Sequence, residues 1–287
     1  MADQNTKQLY HPGKKLVGKD RYRTLYHYTS FDTFRKIYDS KQLKYSEAVN
    51  MNDIMEANKR LIADRSRCPL LFALKDVIAS YRQISFTMNY DTLLKGCMSN
   101  SMWYHYGDKR NGVCIEFDYD KLKLPQTALH APISYKYLLQ DRLVLPNEVM
   151  SINDVEKFVQ KNGKKIFFEK TFDWKYENEY RIVCPHESFL NVENAITALY
   201  FTNCESEHVK EAEKIVGNEF PIRFIDYMTE QHEITPIDNG TMSMRMKYEK
   251  IMKKHENDKT WTQQAKEFYD ANKYDKHKPL IMDNFRG

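Results

Sequence analysis

The chain has no phosphate loop of the form GxxxxGK[ST], no GxGxxG ahead of a helix, no GxSxG elbow and no HExxH. Their absence removes the usual signatures of nucleoside triphosphatases, dinucleotide folds, serine hydrolases and zinc peptidases. Cysteine is scarce. Cys68, Cys97, Cys114, Cys184 and Cys204 are odd in number, widely spaced and without a CxxC pair, which argues for reduced thiols rather than a disulfide framework or zinc. His27, His105 and His130 show no metal-ligand spacing, so no metal ligand is assigned. No apolar run approaches the roughly 20 residues that span a bilayer. The opening Met-Ala-Asp-Gln-Asn-Thr-Lys-Gln lacks the apolar core of a secretion signal. A soluble cytoplasmic protein with no membrane partner is the expectation. A dominant charge is also missing: 44 basic residues stand against 40 acidic ones, a net +4, too balanced for a nucleic-acid coat protein but compatible with a local basic groove.

What the sequence has in quantity is aromatic mass. Twenty Tyr and fifteen Phe among 287 residues supply a core despite a mean hydropathy of −0.72. Residues 1–20 read as a flexible polar arm, 21–235 as the folded domain, and 236–287, rich in Met and Lys, as a helical basic C-terminal extension. Tyr22 to Tyr28 has the aromatic content of a strand. Thr29 or Ser30 then caps a helix whose Phe31, Phe34, Ile37 and Tyr38 recur at helical spacing. Leu43 to Tyr45 is extended, and Leu70 to Met88 fits helix or strand. Trp103 to Tyr106 ends at Gly107, and Val113 to Phe117 is a strand after the turn 108–112. Residues 132–137, 179–183, 198–201 and 223–227 are further strands, with helices over 153–168 and 205–216. Short strands with peripheral helices make an α+β fold.

The acids of Trp174-Lys175-Tyr176-Glu177-Asn178-Glu179-Tyr180-Arg181-Ile182-Val183 are the strongest chemical signal, because ionised carboxylates are costly to bury without partners. In an extended chain Glu177 and Glu179 share one face, with Tyr180 and Ile182 on the other. That arrangement presents two acids to a cleft from a core-backed strand. The plainer reading is a solvent-facing edge whose acids pair with Lys175 or Arg181.

Four segments in order, Leu25-Tyr26-His27-Tyr28-Thr29-Ser30, Asn52-Asp53-Ile54-Met55-Glu56, Met102 to Gly107 followed by Gly112 to Phe117, and Trp174 to Val183, resemble a domain-of-unknown-function family of bacteria and their phages. The resemblance spans roughly 22–205. Ile54 stands where that family usually has proline, which alters how the following helix begins. That family in turn distantly resembles ADP-ribosyltransferases, particularly toxins that modify nucleic acid. The resemblance implies an ADP-ribosyltransferase-like split mixed and antiparallel sheet with NAD as co-substrate, and a nucleic-acid or protein acceptor, in a phage-defence or toxin setting. It implies that His27 binds the adenosine ribose, with Tyr28 and Thr29 beside it, and that Tyr106 or Trp103 stacks on nicotinamide. Asn52 and Asp53 fall at the substrate. Glu179 matches the late glutamate that stabilises the cationic transition state, and Glu177 the upstream acid that handles the nucleophile. His27 and Glu179 are then expected to open to one groove from adjacent or nearly adjacent strands. Arg181 fits a pyrophosphate contact or, equally, a salt bridge to Glu116 or another acid. The alternative for His27 is a ring satisfied by a backbone carbonyl, and for Trp103 and Trp174 a place in the core or cleft wall. Two other function classes stay open: a metal-dependent nucleic-acid enzyme using Asp53, Glu56, Glu177 and Glu179, and a non-catalytic nucleotide- or protein-binding module.

Overall fold

The computed structural model describes residues 22–47, 61–62, 68–90, 94–137, 143–203, 206–227 and 233–236. Asn52, Asp53, Glu56 and the proposed arm and C-terminal extension lie outside these, except Pro236 at the extension's first position. In chain order the elements are β1 (Thr24–Thr29), α1 (Phe31–Ser40), β2 (Gln42–Lys44), β3 (Ser46–Glu47), β4 (Leu61–Ile62), α2 (Cys68–Ser80) and β5 (Tyr81–Met88). Then follow α3 (Asn100–His105), β6 (Val113–Asp118), β7 (Leu129–Pro132), β8 (Ser134–Lys136), β9 (Leu143–Val144), α4 (Ile152–Phe167) and β10 (Glu169–Thr171). The last are β11 (Glu179–Pro185), β12 (Phe189–Asn191), β13 (Ile196–Phe201), α5 (Glu207–Val216), β14 (Ile222–Asp226) and β15 (Glu233–Pro236).

Local chemistry accounts for these boundaries. The Ser30 hydroxyl accepts from Thr33 N–H and starts α1, and Lys41 in the left-handed region ends it. A reciprocal Ser151–Asp154 capping box starts α4. The ambiguous stretch 70–88 is both things: α2 over its apolar first part, then β5 where branched and aromatic residues alternate. Trp103 and Tyr104 belong to α3, whose end is turned back by Gly107 to Gly112 toward β6. A β-carbon at Gly112 would come within 2.2 Å of Thr29 O, so only glycine lets this turn close on the end of β1.

The main sheet is mixed, ordered β15-β14-β13-β6-β1-β5-β11-β7, with β3 also paired to β5. All its pairings are antiparallel except β13 with β14. An α+β fold with a mixed sheet and peripheral helices is therefore what the chain adopts. At its centre is a seam. β1 joins β6 along its whole length from Thr24 to Thr29, but meets β5 only at Leu25↔Met88 and Tyr26↔Thr87. Beyond Tyr26 the two strands part, and β3 takes up β5 at Gln83 and Arg82.

The pleat sorts three buried clusters around this sheet. Leu25, Ile84, Phe86, Ile115, Tyr180 and Ile182 face a core shared with α1 and α5. On the other face Val183 packs with α2 and α4. Tyr26, Tyr28, Trp103 and Tyr200 form the third cluster beside α3.

Candidate functional site

The seam opens into a cavity of about 250 Å³. His27, Tyr28, Tyr106, Glu177 and Glu179 all line it, together with Ser85, Thr87, Lys170 and Trp174. Six of the side chains singled out in the sequence, Trp174 among them, thus meet. Thr29, Trp103 and Arg181 do not border it: Thr29 is buried at the end of β1. The Trp103 indole N–H is used on Cys97 O at 2.7 Å, and its ring meets Tyr28 edge to face at 5.2 Å. Trp103 is core, whereas Tyr106 and Trp174 line the cavity beside Tyr26, Tyr28 and Phe86.

The acids reach the cavity by a different route from the expected strand face. β11 starts at Glu179, and Glu177 is the last residue of a 3₁₀ turn over Phe172–Glu177. Asn178 between them has φ 43° and ψ 52°, the left-handed region that asparagine tolerates. Its Nδ2 donates to Met88 O at 2.9 Å and Asn89 O at 3.1 Å, and its carbonyl accepts from Met88 N–H. This clamp turns the chain so that both carboxylates face one cation.

That cation is Lys170. Its Nζ lies 2.7 Å from Glu177 Oε2 and 2.8 Å from Glu179 Oε2. Lys170 arrives on β10, where it pairs in register with Tyr135 of the parallel β8 and is the buried residue between half-buried Glu169 and Thr171. Arg181 is the second cation, placed on Glu179's face by the period of two. Its Nε donates to Glu179 Oε1 at 2.6 Å, Nη2 to Oε2 at 2.9 Å, and Nη1 to Phe167 O at 2.7 Å. Of the two readings of Arg181, the ion pair to an acid is the one formed, with Glu179 rather than Glu116. Among the described residues, two carboxylates and two cations make a buried cluster of zero formal charge, which is how such groups avoid the cost of lone burial.

The two acids are not equivalent. Glu179, 2% exposed, also accepts from Ser85 Oγ–H at 2.6 Å. Four donors, Ser85, Lys170 and the two nitrogens of Arg181, fill the roughly four acceptor sites of its carboxylate. Glu177, 4% exposed, accepts from Tyr106 Oη–H at 2.6 Å and from Lys170 at 2.7 Å. Each of its oxygens has one donor, so it keeps acceptor capacity. Burial pushes the Glu179 carboxyl up, but Arg181 and Lys170 outweigh it and hold it well below the usual carboxylate range. Burial also pushes Glu177 up; there Lys170 opposes it, Glu179 adds to it, and the result lies above the ordinary value.

His27 enters from the other side. Because Tyr26 and Glu179 both sit opposite Thr87 in register, those three side chains share a face, and the pleat sends His27 to the opposite one. There its ring meets Phe86 at 5.9 Å and its Nδ1 approaches Ser85 O at 3.2 Å. His27 and Glu179 thus open to one cavity, from strands separated only by β5, but they reach it from opposite faces of the sheet, where β1 and β5 have parted. A carbonyl can only accept, so Nδ1 carries the hydrogen and Nε2 is left as the acceptor. Burial lowers the affinity of this ring for a second proton.

Lys170, Ser85 and Tyr135, whose Oη accepts from Glu179 N–H at 2.9 Å, were not identifiable as site residues from motifs. One signal was present for Lys170. Phe168, Lys170 and Phe172 alternate, and two buried acids with a single neighbouring arginine demand another cation. Thr87 adds a loose end: it is 1% exposed, lines the cavity, and its hydroxyl has no hydrogen-bond partner.

Residues 102–182 match the family described as "Protein of unknown function (DUF2971)". That span carries Tyr106, Tyr135, Lys170, Glu177, Glu179 and Arg181, whereas His27, Ser85 and Thr87 lie before it. No curated protein matches the chain.

Proposed function

We propose that this cavity cleaves the nicotinamide–ribose bond of NAD and transfers ADP-ribose to an acceptor, a nucleic acid or a protein. The observation that carries this reading is the meeting of His27, Tyr106, Glu177 and Glu179, from three separate stretches of sequence, around one cavity at the seam of the sheet. The chemistry of the lining fits the nicotinamide end. Its ring carries a positive charge, which suits the aromatic faces of Tyr106 and Trp174 and the remaining acceptor capacity of Glu177. A volume of about 250 Å³ takes only part of a dinucleotide, since sites for drug-sized ligands occupy about 300–1,000 Å³. His27 Nε2, an acceptor on the far side of the seam, suits a sugar hydroxyl. The metal-dependent reading draws less support, because Glu177 and Glu179 converge on an ammonium where a divalent ion would need their oxygens.

Calorimetric titration of the protein with NAD, run beside a nicotinamide-release assay with cell extract as the source of acceptor, tests the proposal. Saturable binding without added metal and slow release that extract accelerates are the expected results. Neither binding at millimolar NAD nor release would end it, and the binding-module reading would take its place.

A further inference from the structure

A buried polar group without a hydrogen-bond partner is uncommon in a folded protein and calls for a physical account. Thr87 is 1% exposed, lines the cavity, and its hydroxyl has no partner among the described residues. The other donors of the cavity are committed. Ser85, two residues back on the same face of β5, donates to Glu179, Tyr106 donates to Glu177, and Lys170 lies on both acids. The register fixes where Thr87 stands. It is opposite Tyr26 of β1 and Glu179 of β11, so its side chain lies on the face of Glu179 as a direct cross-strand neighbour. Tyr26↔Thr87 is also the last pair before β1 and β5 part, which sets this hydroxyl at the closed end of the seam.

We infer that Thr87 is a substrate-binding residue whose hydroxyl bonds to a hydroxyl of the ribose that carries the nicotinamide ring. The assignment rests on the NAD reading above. In that reading Glu179 stabilises positive charge on the ribose carbon, so this ribose lies against Glu179, and Thr87 is the residue opposite Glu179 in register. The chemistry of the two groups matches. A threonine hydroxyl both donates and accepts, as a sugar hydroxyl does, so the bond can form in either direction. Charge balance favours the same partner. The four charges beside Thr87, on Glu177, Glu179, Lys170 and Arg181, already cancel. A neutral sugar hydroxyl leaves that balance intact, whereas a phosphate set here would add a buried charge without a counterion. His27, which enters from the opposite face of the sheet, stays with the adenosine ribose at the other end of the dinucleotide.

The test is calorimetric titration of wild type, Thr87→Val and Thr87→Ser, with thermal unfolding of each. The ligands are NAD and two dinucleotides whose nicotinamide ribose lacks the 2′- or the 3′-hydroxyl. Thr87→Val keeps the shape of the side chain and is expected to melt no earlier than wild type, yet to bind NAD about 3- to 10-fold more weakly, the range of one neutral hydrogen bond. Thr87→Ser keeps the hydroxyl and is expected to restore wild-type binding. One of the two deoxy dinucleotides is expected to bind wild type as weakly as NAD binds Thr87→Val, and to lose nothing further in that variant, because the same bond is missing from either side. Folded Thr87→Val with wild-type affinity for NAD overturns the assignment. So does a variant that weakens NAD and both deoxy dinucleotides by the same factor, since its loss is then independent of the ribose hydroxyls. Thr87→Val that melts far earlier or does not fold overturns it too, because the hydroxyl is then bonded within the protein. No saturable binding of NAD by wild type overturns the NAD reading itself, an outcome seen before any variant is compared.

Discussion

β11 carries two different kinds of interior on its two sides. Tyr180 and Ile182 point into the α1 and α5 core with Ile84, Phe86 and Leu25, where shape and apolar area do the stabilising. One residue along, Glu179 and Arg181 point to the other side with Ser85 and Lys170, where charge-assisted hydrogen bonds join the four side chains. Glu179, Arg181, Tyr180 and Ile182 are all buried. A closed face can thus be built from volume or from charge balance, and the two should fail in different ways: an apolar face by leaving a hole, a charged one by leaving an ion without its partner.

The largest expected break comes from Glu179→Ala. It removes the carboxylate to which Arg181 donates twice and leaves Lys170 on Glu177, so stability in urea should fall by about 3–5 kcal/mol. Ile182→Ala, on the facing side of the same strand, should cost about 2–4 kcal/mol through its cavity. The contrast sharpens with salt and pH: Ile182→Ala should lose the same amount throughout, whereas the penalty for Glu179→Ala should shrink in acid. The folded state holds Glu179 ionised while the unfolded chain protonates near 4.5. Its contribution is therefore full above that pH and lost as pH falls below it. Equal pH dependence in the two variants would erase the distinction between the faces. Thr87→Val removes a buried hydroxyl that has no partner and keeps the shape of a strand residue, so the ligand-free protein should be unchanged or more stable by about 1 kcal/mol. A clear loss would mean that this hydroxyl is bonded within the protein. The smallest effect belongs to His27. Folding keeps the ring neutral, so the unfolded chain takes up the extra proton first as pH drops through about 6.5. Stability should then slip between that pH and the lower folded value, and His27→Gln should flatten this leg of the curve.

Much of the scaffold was legible because its signals are local. The Ser30 cap with Phe31, Phe34 and Ile37 behind it, and the branched run Val113 to Phe117, need no distant partner to be recognised. The acids were legible as an anomaly, since Glu177 and Glu179 sit among residues that belong in a core. Their partners were not. Lys170 meets them through the pairing of β10 with β8, and Ser85 through the register of β5 with β11, and register between distant strands leaves no trace in spacing. The turn at Asn178 was hidden for another reason: a period of two and a left-handed corner both bring residues 177 and 179 to one place, so the pattern alone does not tell them apart. The side from which His27 reaches the cavity was hidden by the assumption of a continuous sheet, because only the parting of β1 from β5 lets side chains on opposite faces share a space.

That parting gives the sheet a fold line. The ladders flanking it run over six residue pairs between β1 and β6 and seven between β5 and β11, but the join between β1 and β5 holds two. Of these ladders, a change of angle between the two plates would break only that short join, while the core that holds Leu25 and Ile115 with Ile84 and Phe86 spans the line and resists it. The width of the cavity is then set jointly by the sheet and by the core beneath it.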